Sequence, residues 1–134
     1  MSSPAELLAF AETHKFGTGA TRRAAISRAY YAAFHALQAA VLPMLSSSDL
    51  GKNGCAKHGA VLKALATWKT KHPDRKLRMA HGADALKAYH HLEFCRDERE
   101  QADYHMGAAG EVPPQQAVAV IGKARRVMDF AAKF

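Results

Sequence analysis

Arg99 and His105 lie six positions apart near the end of a long helical pattern. They are the pair whose types and spacing can do chemistry. A histidine titrates near pH 6.5, so at neutral pH it can take or give a proton. An arginine holds a fixed charge and a planar fork that matches a phosphate. Together they suit work on a nucleic-acid backbone. On an unbroken helix six residues turn about 600°, which leaves the two side chains about 120° apart and about 9 Å displaced along the axis. They meet only if His105 sits on a frayed helix end near Gly107, or if one acts with the other's copy in a second subunit. Glu100 carries the sign of the substrate and reads as structural.

The register of the helix around Arg99 sharpens its position. Ala85, Ala88 or Tyr89, Leu92 and Cys95 form an apolar stripe. Continuing that stripe lands on Arg99 and then on Ala102. An arginine there is costly unless it is paired or faces an interface. Asp103, four residues on, is one such partner and offers a purely structural explanation. Arg28, Tyr31, His35 and Gln38 make a second, polar stripe on an earlier helix. Those long and aromatic polar groups fit a groove or a subunit interface; the alternative is a solvated flank.

Abundant alanine, few β-branched runs and Gly/Pro breaks between segments predict an all-α chain. The first helix is short, Pro4 to about His14, with Ser3 as cap. The second runs from about Thr21, its expected N-cap, to Leu42, with Ile26, Tyr30, Ala33, Phe34, Leu37 and Val41 on one face and Pro43 as its bound. Residues Ser46 to Gly54 read as a mobile surface loop without a phosphate-binding pattern. The third helix spans about Cys55 to Lys71 and carries Val61, Leu62, Leu65 and Trp68. A basic tract follows: Lys69, Lys71, His72, Arg75, Lys76 and Arg78. It either contacts phosphates or is a solvated loop. The fourth helix starts at about Met79 or Gly82 and ends at Tyr104. The fifth runs from about Pro114 to Lys133, with Ala117, Val120, Ile121, Ala124, Val127, Met128 and Ala131 inward. The expected architecture is an up-and-down four-helix bundle with an extra short N-terminal helix, one domain over residues 1–134.

Composition narrows the function classes. The apolar content of 49% suits a folded domain rather than a disordered one. There is no apolar run of the roughly 18 residues a membrane helix needs, and the start lacks a signal-peptide pattern. A cytoplasmic protein without membrane association is the expectation. The net charge of +7, from 19 Lys and Arg against 12 Asp and Glu, favours a polyanionic partner. Cys55 and Cys95 have no ligand-like spacing and read as reduced thiols. His91 and Cys95 stand four apart on a helix, a spacing that can hold zinc, but two further ligands are not evident. No metal and no cofactor is expected.

The stretch Ser27-Arg28-Ala29-Tyr30-Tyr31-Ala32-Ala33-Phe34-His35-Ala36-Leu37 resembles the second-helix signature of the HEPN superfamily, the higher eukaryote and prokaryote nucleotide-binding domain. His58-Gly59-Ala60-Val61 is similar to the start of the next core helix in a bacterial and archaeal branch. Arg99-Glu100-Gln101-Ala102-Asp103-Tyr104-His105 resembles its closing motif, an arginine followed after four to six residues by a histidine. The similarity covers nearly the whole chain. It implies a metal-independent endoribonuclease, often the toxin of a toxin–antitoxin pair, with a nucleotidyltransferase as antitoxin. It also implies a homodimer in which two motifs face each other. Arg99 and His105 would then be catalytic, with Arg28, Tyr31, His35, Asp103 and Tyr104 binding substrate or supporting the motif. Active members usually carry Asn, Asp or His where this chain has Glu100. The alternative is therefore a non-catalytic module that binds nucleic acid or a nucleotidyltransferase partner.

Overall fold

The computed structural model describes residues 3–104 and 112–134. Among them are five α-helices and no strand: α1 Pro4–His14, α2 Gly19–Val41, α3 His58–Lys71, α4 Arg75–Tyr104 and α5 Pro114–Ala131. None of the described helices is long and apolar enough to cross a membrane.

Local signals set the helix ends. The Ser3 hydroxyl accepts from the Glu6 amide at 3.2 Å while the Glu6 carboxylate accepts from the Ser3 amide at 3.3 Å, a reciprocal cap ahead of Pro4. Helix α2 begins earlier than Thr21. Thr18 is its cap, accepting from the Thr21 amide at 3.4 Å, and Thr21 sits three residues inside. Both threonines are good caps, and the break at Gly17 favours the first. Arg22 pins this turn, with its guanidinium donating to the Gly17 carbonyl and to the Val112 carbonyl. Pro43 ends α2 through a 3₁₀ turn at Leu42–Met44.

The connection to α3 is more ordered than its composition suggests. Ser46 caps a 3₁₀ turn at Ser47–Asp49, and Leu50 pairs with Ala56 in an isolated bridge. Helix α3 therefore starts at His58, not Cys55. Helix α4 starts at Arg75, ahead of Met79 and Gly82. The Asp74 carboxylate accepts from the Leu77 amide at 3.1 Å and its carbonyl from the Arg78 amide at 2.9 Å. Pro73-Asp74 is thus a helix start inside what reads as a basic loop. The tract is not one phosphate-facing surface. His72 is buried against Trp68, and Arg78 donates to the His72 carbonyl at 2.7 Å.

Helix α2 packs most against α5 and α1, α3 packs on α4, and α4 also meets α5 and α2. The α2 stripe buries as expected, and Ala25, Ala29, Ala32 and Ala40 widen it. Those small residues let neighbouring helices approach closely. On α5 the buried set ends on Phe130 rather than Met128 and Ala131, because Phe130 packs on the Trp68 indole, ring centres 5.5 Å apart. Trp68 also donates to the Leu77 carbonyl at 2.9 Å, which fastens α3 to the first turn of α4.

Candidate functional site

Helix α4 delivers Arg99 to the inner face as the register requires. Ala85, Ala88, Leu92, Cys95 and Ala102 are buried, and the Arg99 side chain is only 20% exposed. Its guanidinium lies over two rings of α2, 5.2 Å from the centre of Tyr30 and 5.5 Å from that of Tyr31. It donates to the Tyr31 hydroxyl at 3.4 Å and pairs with the Asp103 carboxylate at 3.4 Å. Both contacts are at the long limit of a hydrogen bond. The Nε–H is buried, with no partner among the described residues. Asp103 thus takes up part of the charge and leaves donor capacity unused.

The polar stripe of α2 divides. Tyr31 and His35 stay together, rings stacked at 6.0 Å, and His35 meets Gln38 at 3.1 Å. Arg28 goes elsewhere: its guanidinium lies over the Phe10 ring of α1 at 4.7 Å. The structure therefore brings together Arg99, Tyr31, His35 and Asp103 of the expected site residues, and it turns the Arg28 side chain of α2 toward α1. His105 lies outside the described residues, as does the side chain of Tyr104.

Three further residues complete the cluster. Tyr30 is fully buried, yet its hydroxyl reaches the His58 Nδ1 at 2.6 Å. His58 stands at the first turn of α3, half-buried, its ring 4.1 Å from Phe34 and edge-on to Tyr31 at 6.0 Å. Arg96, one turn before Arg99, pairs with Glu100 at 3.5 Å. Three helices thus converge, with four groups that are or can become cationic: Arg96, Arg99, His35 and His58. Burial pushes the His58 imidazole below its ordinary value, and Arg99, Arg96 and His35 push it the same way. Burial also drives the Tyr30 phenol well above its ordinary value, so it remains a neutral hydroxyl.

His58 enters the sequence reading only as a helix start, and Tyr30 only as core. Their pairing depends on where α3 begins relative to α2, which no local pattern encodes. The His91–Cys95 pair does not form a centre. Cys95 is buried and approaches the Val120 carbonyl at 3.5 Å, and burial pushes its thiol up to about 12. Among the described residues no group of three or more His, Cys, Asp or Glu converges as a metal site would require. A cleft of about 230 Å³ between α4 and α5, lined by residues including Asp84, His91, Arg126 and Asp129, does not include Arg99.

Comparisons of the chain with protein-family models, with curated proteins and with solved structures find no match.

Proposed function

We propose that this chain is a HEPN-type domain that binds RNA through the Arg99 face and cleaves it without metal. The architecture we infer is an up-and-down four-helix bundle of α2 to α5 with α1 as an added short helix. The packing of α3 on α4, α4 on α5 and α5 on α2 supports it. The observation that carries the functional reading is the state of Arg99. It sits at a buried register position, on an aromatic bed, with long contacts and an unused Nε–H. A donor left unpaired in this way costs folding energy, which offsets the gain from the rings and Asp103. A phosphodiester oxygen has the charge and the lone pairs to pair with Arg99.

In the reaction the 2′-oxygen attacks the phosphorus and the 5′-oxygen leaves. A base takes the 2′-hydroxyl proton and an acid gives one to the leaving oxygen. Arg99 stabilises the added charge on the phosphoryl oxygens, and His105 is the assigned proton-transfer group. The step angle between the two favours a homodimer in which two motifs combine. The pairing of Glu100 with Arg96 supports the second reading, a binding module without cleavage, because it places an acid beside the phosphate path.

The deciding experiment incubates purified protein with varied RNAs in the presence of a chelator. Wild type is expected to cleave, and Arg99→Ala and His105→Ala to stop cleavage while remaining folded. Binding without cleavage above the variants would replace the enzyme by the binding module. Absence of salt-dependent RNA binding would refute both.

A further inference from the structure

We propose that His58 is the proton-carrying member of this anion site. A phosphodiester held by Arg96 and Arg99 is met by a protonated His58 imidazole, which the Tyr30 hydroxyl fixes through Nδ1. The inference rests on the nucleic-acid reading of the Arg99 face and adds a residue to which that reading gave no role.

The geometry comes from three helices. Tyr30 on α2 is the hinge of the cluster. Its ring lies beneath the Arg99 guanidinium and its hydroxyl holds His58 at 2.6 Å. A tyrosine hydroxyl both donates and accepts. It can donate to the neutral ring's Nδ1 and accept from Nδ1–H once the ring is charged, so one contact serves both protonation states. The ring is fixed on its other sides by Phe34 and Tyr31. His58 also opens α3, whose cap Lys57 makes no side-chain hydrogen bond to the first turn. A helix start of that kind favours an anion and disfavours a local cation.

The groups facing His58 are Tyr30, Tyr31 and His35 from α2, and Arg96 and Arg99 from α4. Two acids flank the arginines, Glu100 on Arg96 and Asp103 on Arg99. Burial and then the neighbouring cations favour the neutral imidazole. A phosphate between the arginines reverses the sign of the local field. The imidazole then gains a proton, and binding and protonation reinforce one another. The linkage fixes the direction. Affinity rises as pH falls through the range between the bound and the free pKa of His58, and is flat above the bound value. A rise of one unit on binding corresponds to about tenfold tighter binding at low pH.

The test uses a short 2′-O-methyl oligonucleotide, which cannot be cut through its 2′-oxygen and whose diesters do not titrate in this range. Affinity is measured from about pH 7.5 to about pH 5.5, where an unperturbed histidine changes charge. Wild type is expected to bind several-fold tighter at the acid end, with the full effect of about tenfold only below the free value of His58. His58→Gln, which keeps a hydrogen-bonding partner for Tyr30, is expected to lose that dependence, and His35→Gln to retain it. Independently of any variant, the His58 ring resonances of the wild-type protein should titrate at higher pH with the oligonucleotide than without. Binding that Arg99→Ala abolishes, without a His58 shift, overturns this inference and leaves the RNA reading standing. Loss of the pH dependence in His35→Gln but not in His58→Gln overturns it as well. No binding at any pH removes the RNA reading and this inference with it.

Discussion

Replacing Arg99 by methionine separates a structural arginine from a functional one. Methionine keeps the unbranched stem and removes the guanidinium. On the favourable side, stacking over Tyr30 and Tyr31 is worth about 0.5–1 kcal/mol per ring. The pair with Asp103, whose side chain is 47% exposed, adds about 0.2–1 kcal/mol. The 3.4 Å bond to Tyr31 contributes at most about 1 kcal/mol at that length. Against these stands the buried Nε–H without an acceptor, which costs about 1–3 kcal/mol. The two sides nearly cancel. At the middle of these ranges Arg99→Met is therefore expected to change stability by about 1 kcal/mol, a melting shift of about 5 °C for a chain of this size. RNA affinity should fall far more. Losing a charge-assisted contact to phosphate costs about 1.5–3 kcal/mol, or about tenfold to a hundredfold. The salt dependence should lose about 0.7 from its logarithmic slope, the equivalent of one single-strand phosphate. Thermal melts and fluorescence anisotropy at several salt concentrations measure both. A melting point more than about 10 °C lower, with unchanged RNA affinity, would show Arg99 to be a strut and refute the reasoning.

Two glycines should respond in opposite directions to alanine. A Cβ on Gly82 would stand 2.5 Å from the Lys69 Cβ and 3.2 Å from its Cα, so Gly82→Ala must push α3 from α4 and is expected to cost about 1–3 kcal/mol in denaturant melts. Gly122, inside α5 with open space at its Cβ position, should gain about 0.5–1 kcal/mol as alanine. Acid should weaken the fold through His58 and His91, both held below their ordinary value first by burial and then by neighbouring cations. Their stabilising contribution is complete above about pH 6.5, the unfolded value, and is lost as pH falls through the folded values. Melting temperature should drop over that interval, and the double substitution His58→Gln with His91→Gln should flatten the profile.

The parts of the fold that repeat every three or four residues were legible. Register alone placed Arg99 on the inner face of α4, and Tyr31 and His35 on a polar stripe beside the apolar face of α2; that the two meet is seen only in the structure. What was not legible is what lies between helices. The early start of α4 follows from the Asp74 cap, but six basic or titratable residues around it imitate a loop. Thr18 and Thr21 are equivalent as caps on paper, and the neighbouring Gly17 break decides between them. Arg28 has the same type and spacing as a site residue, yet the proximity of Phe10 draws it to α1. His58 and Tyr30 lie far apart in the chain, and each had a sufficient local explanation, helix start and core. Only their 2.6 Å contact gives them a joint role.

The acids around Arg99 bear on how a polyanion would enter. Residues 96–103 hold more carboxylates than arginines, although the chain as a whole is at +7. Those carboxylates are not equivalent. Glu98 is engaged by the Gln116 amide of α5. Glu100 and Asp103 pair with Arg96 and Arg99, and their side chains are 44% and 47% exposed. Pairs whose acid is exposed in this way are worth about 0.2–1 kcal/mol, because water compensates the carboxylate when it opens. A phosphate that displaces Asp103 from Arg99 gives up little, since it takes the place of one long contact. Asp103 thus pairs with Arg99 weakly and is easy to exchange. On that argument the acidic helix end is compatible with anion binding, since both contacts that Arg99 makes with Tyr31 and Asp103 are long, at 3.4 Å.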